Sequence, residues 1–420
     1  MEAIRIEGPA TVSGAVSLSG AKNAALPILV AAFASDEPVT LHNVPTELND
    51  VRVLIDILRQ MGGGIEEVSP GEVHISRPQL DAWEVDPELG GRIRSSLLFL
   101  GLLAGKKGRV RLGVPGGCAI GERKFDLHLK GLEALGAKVD FTGERIELEA
   151  PRLVGADISL PVATTSGTEN LMIAACFAEG TTRIHNAHTR PEIIDLANML
   201  NALGAEVRVF QRKIEVDGPR PLKSGTYRIM PAWDEAVTLM CAATMTSGEL
   251  CVENFSRSQV PGDILVLNQA GAEVMEWGGH VFLKGPERLL PVHIVTGPFP
   301  GINSDTQAIY AAMCSAANGE STITDTRFPE RFAYVEEFRK FGIDIDYYEN
   351  CAVVRGGARP HGAEVVARDL RCGAAVALAA LAAEGQTVIT NVYQLDRGYV
   401  RFEQTLRKLG VNAERIELPD

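Results

Sequence analysis

The chain has 420 residues, 45% of them hydrophobic, a formal net charge of -13 and seven cysteines. That length and apolar content support two or three domains with sizeable cores, while the negative charge argues against broad nucleic-acid binding. The sequence has no apolar run long enough for a membrane helix and no C-x-x-C pair to suggest a disulfide framework or zinc site, and its acidic start, MEAIRIEG, is unlike a secretory signal. A cytoplasmic location, with neither membrane nor nucleic-acid partners, is therefore expected.

Taken in chain order, one two-helix unit recurs. The first helix of each unit reads KNAALPILVAAFASDE, IRSSLLFLGLLAGKKG, SGTENLMIAACFAEG, WDEAVTLMCAATMTSG, DTQAIYAAMCSAANG and RCGAAVALAALAAEG. These segments are apolar nearly all round, so they predict buried helices. A short alternating run follows each, as in TTRIHNA, STITDT and QTVITNV, which is strand periodicity. A second helix then closes on Gly62, Gly136, Gly204, Gly271, Gly342 or Gly410, as helix C-caps do. Another strand pattern comes next, for example KVDFTGERIELEA. The closing glycines lie roughly 70 residues apart, so six α+β units fit two domains of three units each. A scaffold duplicated for stability alone, with no common site, is the competing reading.

Several buried helices begin on a polar or charged residue: Asn23, Arg94, Ser166, Asp305 and Arg371. If the three helices of a domain run parallel, their N-termini meet and their dipoles favour a small anion. Lys22 precedes the first of them, and Pro27 falls close to its first turn. Lysine is rarely buried unpaired, so Lys22 either binds phosphate or carboxylate or reaches out to solvent. In GVPGGCAIGERKFDLH, Gly116 and Gly117 allow close backbone approach beside Cys118. A thiol, with a reference pKa near 8.5, can serve as a general acid, although most cysteines in such turns are inert. Arg123, Asp126 and His128 follow within ten residues. Asp305 suits either a helix N-cap or a carboxylate base. Arg331 and Arg397 fall at equivalent points, at the starts of the second helices of units five and six. With Lys22, Arg123 and Arg371 they suggest a site for a dianion or trianion. No Walker lysine motif, G-x-S-x-G or H-E-x-x-H is present, so neither cofactor nor metal is expected.

The stretches SGAKNAALPI, PGGCAIGER with DLH, AEGTT, RPEI, DLR and LDRGY resemble the UDP-N-acetylglucosamine enolpyruvyl transferase (MurA) family of the EPSP synthase-like superfamily. The likeness runs along nearly the whole chain. The shikimate-3-phosphate enolpyruvyl transferases share the fold but lack the cysteine loop. The resemblance implies a two-domain inside-out α/β barrel, with residues 22–229 in one domain, residues 230–420 and 1–21 in the other, and the site between them. It implies transfer of enolpyruvyl from phosphoenolpyruvate to the 3-hydroxyl of UDP-N-acetylglucosamine with release of phosphate, the first committed step of peptidoglycan precursor synthesis. By the same resemblance Cys118 protonates the methylene carbon, can form a covalent adduct and is the target of fosfomycin, while Asp305 lies near the attacking hydroxyl. Lys22, Asn23, Arg123, Arg331, Arg371 and Arg397 are implied to hold phosphoenolpyruvate, with Lys22 and Arg397 also catalytic. Asn23, Arg94, Arg123, Lys124, Asp126, Leu127, His128, Thr164, Thr165, Ser166, Asp305 and Arg327 are implied on the nucleotide-sugar side. Oligomeric state is left open.

Departures from the family pattern gather on the acceptor side. Lys124 stands where the family usually has Pro, TTSGTEN replaces SVGATEN, and Val162 takes a place often held by a basic residue. AWDEAVT replaces DRIE.GT, PERF replaces ENRF, and Arg327 takes a usually apolar position. A paralogue acting on another uridine nucleotide such as UMP, as in nucleoside-antibiotic pathways, is therefore an alternative; retention of Asn23, Asp126 and His128 favours UDP-N-acetylglucosamine. A non-catalytic nucleotide-binding relative is disfavoured because Cys118, Asp305 and the matched cations are all kept.

Overall fold

The computed structural model describes residues 1–116, 125–328 and 331–418. The chain divides into two compact units, Ser19–Met230 on one side and Met1–Leu18 with Pro231–Asp420 on the other.

In the Ser19–Met230 unit, three helices form the interior: Lys22–Ala32, Phe99–Lys107 and Thr165–Ala175. Every residue from Ala24 to Ala32 is buried, as expected of a segment with no polar face. The Phe99–Lys107 and Thr165–Ala175 helices approach closely at Gly101, whose N–H donates to Asn170 Oδ1 at 2.8 Å. A Cβ at Gly101 would sit 2.4 Å from the Asn170 carbonyl oxygen, so only glycine fits.

Each sheet repeats one plan: a parallel pair, then an antiparallel hairpin. Asp157–Ser159 pairs parallel with Gly180–His185, which pairs antiparallel with Lys213–Gly218 and through it reaches Glu206–Val209. Gly225–Arg228, Val39–His42, Glu72–Arg77 and Gly64–Ser69 follow the same order. The remaining sheet keeps three strands, with its parallel partner reduced to one bridge between Glu84 and Arg111.

The other unit repeats the plan around the Trp233–Met245, Gln307–Ser315 and Leu370–Ala382 helices, which pack on one another. The Gly14–Ser17 strand pairs parallel with Glu249–Glu253, and Glu2–Gly8 lies between Gly385–Thr390 and Asn412–Glu417. Helices inside and sheets outside make each unit an inside-out α/β body.

The six closing glycines all take the left-handed conformation, with φ between 78° and 103°. At each, the glycine N–H and the next N–H turn back onto the last turn, as in Gly136 to Glu133 O and Ala137 to Leu132 O at 2.9 and 3.0 Å. This is the Schellman arrangement, which satisfies carbonyls that the helix end leaves open.

Three local expectations shift. Pro27 is the sixth residue of its helix, well inside it, and takes away the donor that the Asn23 carbonyl would otherwise receive. Arg94 opens a 3-10 turn, Arg94–Leu98, and the α-helix proper begins at Phe99. Arg331 precedes the Tyr334–Lys340 helix, whereas Arg397 ends a 3-10 turn, Val392–Arg397, ahead of the Phe402–Lys408 helix, so the two sit in different local settings. Among the described residues the cysteines are free, no helix is long and apolar enough to cross a membrane, and no cluster suited to a metal ion occurs.

Candidate active site

Each unit carries polar side chains at the mouths of its buried helices. In Ser19–Met230, Lys22 is the first residue of its helix, and its Nζ lies 2.9 Å from Asp50 Oδ2. Both side chains are largely buried, at 14% and 13% exposure, so the ammonium is held by a partner and does not reach out to solvent. Asn23 is half-buried beside it.

His128 is buried in the first turn of the Asp126–Ala134 helix, and its Nε2 shares a hydrogen bond with Ser166 Oγ at 3.1 Å. Burial, helped by the charge of Arg94 and opposed by Asp126, pushes the imidazole pKa down to about 3. A neutral ring can offer a hydrogen bond but no charge. Leu127 is half-buried next to it, and Asp126 accepts from Lys130 at 3.2 Å. Thr164, Thr165 and Ser166 form the start of the Thr165–Ala175 helix. Thr165 Oγ1 meets His188 Nδ1 at 3.0 Å, and the Thr164 carbonyl accepts from Thr168 Oγ1 at 2.6 Å.

One turn deeper, Glu169 is buried with no hydrogen-bond partner for Oε1 among the described residues. Burial first, then the charge of Glu192, raises its pKa to about 8 against the pull of Arg190. The folded value lies above the ordinary carboxyl value, so the stability this group confers is complete below about pH 4.5 and is lost as pH rises through 8. Glu169→Gln, which mimics the neutral acid, is therefore expected to lose less thermal stability than the wild type between pH 5 and pH 9. The gap should reach on the order of 3–5 kcal/mol. Parallel melting curves across that range would contradict the assignment.

In the other unit, Asp305 lies in a 3-10 turn, Ser304–Thr306, at the head of the Gln307–Ser315 helix. It is not the cap: Asn303 Oδ1 accepts from the Asp305 N–H at 2.9 Å. The Asp305 carboxylate instead receives Arg331 Nη1 at 2.6 Å and Arg371 Nη2 at 3.3 Å. Arg371 is 5% exposed and also bonds Asp234 Oδ2 at 2.6 Å. Burial alone would lower its pKa, but the charges of Asp234 and Asp305 overcome burial and raise it well above the ordinary value. Tyr399 Oη accepts from Arg371 Nη1 at 3.3 Å and meets Thr238 Oγ1 at 2.9 Å. Asp369 caps the Leu370–Ala382 helix through the N–H groups of Arg371 and Cys372, which fixes where the arginine leaves the backbone.

Arg327 and Arg331 both lie 5.8 Å from the Phe328 ring. Buried Asp325 orders this loop by accepting the Arg327 and Phe328 N–H groups at 2.8 and 3.0 Å. Arg397 Nη1 donates to Gln394 Oε1 at 3.3 Å. Thus Asp305, Arg331 and Arg371 are brought together in one unit, as are His128 and Ser166 in the other. Cys118, Arg123 and Lys124 lie outside the described residues.

Sequence reasoning missed Asp50, Asp234 and Tyr399. The one available signal was AWDEAVT, which puts acidic residues at the head of a buried helix. The partners of Lys22 and Arg371 come from elsewhere in the chain, and no local pattern reveals them.

The family model described as EPSP synthase (3-phosphoshikimate 1-carboxyvinyltransferase) matches residues 6–406. A protein named UDP-N-acetylglucosamine 1-carboxyvinyltransferase 2 from Carboxydothermus hydrogenoformans is 41% identical over 419 residues, covering 99% of this chain and 100% of its own. UDP-N-acetylglucosamine 1-carboxyvinyltransferase 1 from Caldanaerobacter subterraneus subsp. tengcongensis is 39% identical, with 98% of each chain covered. Among solved structures, the enolpyruvyl transferase NikO from Streptomyces tendae shares the fold at a TM-score of 0.88 and 24% identity, covering 100% of this chain and 99% of its own. EPSP synthase from Acinetobacter baumannii does so at 0.78 and 20%, covering 99% and 100%.

Proposed function

The chain belongs to the EPSP synthase family, and from that premise we propose that it transfers enolpyruvyl from phosphoenolpyruvate to the 3-hydroxyl of UDP-N-acetylglucosamine, releasing phosphate. The product opens peptidoglycan precursor synthesis. The observation that carries this reading is the 41% identity running end to end with a relative that bears the activity in its name. We place the reaction in the cytoplasm, with the two small molecules as its partners.

In this reading, Lys22, Asn23, Arg123, Arg331, Arg371 and Arg397 bind the phosphate and carboxylate of phosphoenolpyruvate. Forked guanidinium donors suit both groups. The Cys118 thiol gives its proton to the methylene carbon, which becomes a methyl group. The acceptor oxygen bonds to the neighbouring carbon while its own proton passes to Asp305. The tetrahedral adduct then loses phosphate as its carbon–oxygen bond breaks. The methyl group gives up a proton to the Cys118 thiolate, which restores the thiol, and the double bond returns. Cations and helix N-termini set in advance around the developing charge supply most of the barrier reduction.

His128 is neutral and buried, so it suits hydrogen bonding to the nucleotide sugar better than charge pairing. Arg94, Lys124, Asp126, Leu127, Thr164, Thr165, Ser166 and Arg327 complete the acceptor side. The test is to supply purified protein with phosphoenolpyruvate and either UDP-N-acetylglucosamine or UMP, then weigh the products by mass spectrometry. Enolpyruvyl mass on UDP-N-acetylglucosamine, with one phosphate released per product, is expected. The mass on UMP alone transfers the reading to the paralogue, and no product with either acceptor overturns it.

A further inference from the structure

Asp234 belongs to no role assigned above, yet it makes the shorter of two carboxylate bonds to one nitrogen. Arg371 Nη2 lies 2.6 Å from Asp234 Oδ2 and 3.3 Å from Asp305 Oδ2. The carboxylates therefore compete for a single guanidinium edge. Asp305 is held more closely by Arg331, through its other oxygen, at 2.6 Å. The four side chains form an alternating row, Asp234, Arg371, Asp305, Arg331, whose formal charges cancel. Asp234 is itself fixed: it lies in the first turn of the Trp233–Met245 helix, where the helix dipole favours a carboxylate, and its Oδ1 accepts the Glu235 N–H at 3.1 Å. Tyr399 steadies the other end of the guanidinium at 3.3 Å and is tied to Thr238 of that same helix. Asp234 also falls in AWDEAVT, the stretch where this chain departs from the family pattern; the third position of that pattern is apolar, and here it is this carboxylate.

We propose that Asp234 is a positioning residue that draws Arg371 away from Asp305, leaving the Asp305 carboxylate able to take the acceptor proton. This rests on the enolpyruvyl transfer proposed above. In that step the hydroxyl proton passes to Asp305 as the oxygen bonds to carbon. Without Asp234, the charge of Arg371 falls on Asp305 alone. A carboxylate paired more tightly with a cation is a weaker base. The rate of the chemical step then falls, while Tyr399 still holds the other end of Arg371 and Arg331 still holds Asp305.

The experiment uses steady-state kinetics and thermal melts of the full chain, with phosphoenolpyruvate and UDP-N-acetylglucosamine as substrates. Asp234→Asn keeps the shape but loses the charge. It is expected to lower kcat about tenfold with both KM values within about twofold of the wild type. Asp234→Glu, which restores the charge, is expected to recover kcat to within about threefold of wild type. Asp234→Ser, smaller and neutral, provides the same comparison should the Asn variant not fold. Unchanged kcat in a folded neutral variant overturns the proposal, as does a loss that Glu does not restore. A wild type that forms no enolpyruvyl product overturns the functional reading and this proposal together. An active wild type beside an indifferent Asp234→Asn overturns this proposal alone.

Discussion

Asp305→Asn is expected to lower kcat by about 10²- to 10⁴-fold, the range that a well-placed acid or base contributes. Two cations hold this carboxylate, at 2.6 and 3.3 Å, and its helix already has a separate cap in Asn303. Its removal therefore leaves the helix start intact. Arg371 keeps Asp234, while Arg331, whose side chain is 9% exposed, loses its carboxylate partner but keeps the Ser304 carbonyl and the amide oxygen of the substituted side chain. A protein that folds normally and turns over slowly is the anticipated result. A carboxylate present only to neutralise the arginines would give the opposite. The Asn variant would then keep its kcat and bind phosphoenolpyruvate more tightly, because a positive charge would be released. Steady-state kinetics with each substrate varied in turn, beside a melting curve, separate the two outcomes.

Cys118→Ser is expected to reduce turnover by at least about 10²-fold, because a hydroxyl is a far weaker acid than a thiol whose reference pKa is near 8.5. Cys118→Asp is expected to keep measurable activity, since a carboxyl can still deliver a proton, and to resist fosfomycin, since no sulfur nucleophile remains. Phosphate release measured with and without fosfomycin checks both. Full activity in the Ser variant removes the thiol from the mechanism. The other cysteines sharpen the labelling experiment. Burial pushes the thiols of Cys176, Cys314 and Cys372 up to about 12 and that of Cys241 well above its ordinary value. Thiols that hold their protons so firmly react slowly with electrophiles, so peptide mapping of a fosfomycin adduct has to distinguish Cys118, the expected site, from the half-buried Cys251 and Cys351.

Much of the repeat was legible because its signals are local. A helix apolar on every side must be buried, and a glycine closing an amphipathic helix can adopt a positive φ that other residues resist. The six such glycines do so, at Gly62, Gly136, Gly204, Gly271, Gly342 and Gly410. Pairing at long range left no such trace. Nothing near Glu84 announces a strand reduced to a single bridge, and nothing near Glu2 says that its partners begin at Gly385 and Asn412. The candidate site divides the same way. Asp305, Arg331 and Arg371 drew attention through residue type and position in the repeat. Asp50 and Asp234 did not, because a counter-charge supplied from a distant helix carries no periodicity. Asn303 took the capping role offered to Asp305, since it stands one residue ahead of the Ser304–Thr306 turn and its Oδ1 meets the Asp305 N–H.

The placement of the Glu2–Gly8 strand bears on how the protein is made. It leaves the ribosome long before its two neighbours, Gly385–Thr390 and Asn412–Glu417. Until they emerge this strand waits with bare backbone edges, the condition that invites pairing with a stranger. Ser19–Met230, by contrast, holds all the partners of its own sheets and can assemble while the rest of the message is still being read. Nascent chains stalled before Gly385 should thus be half native and half adhesive.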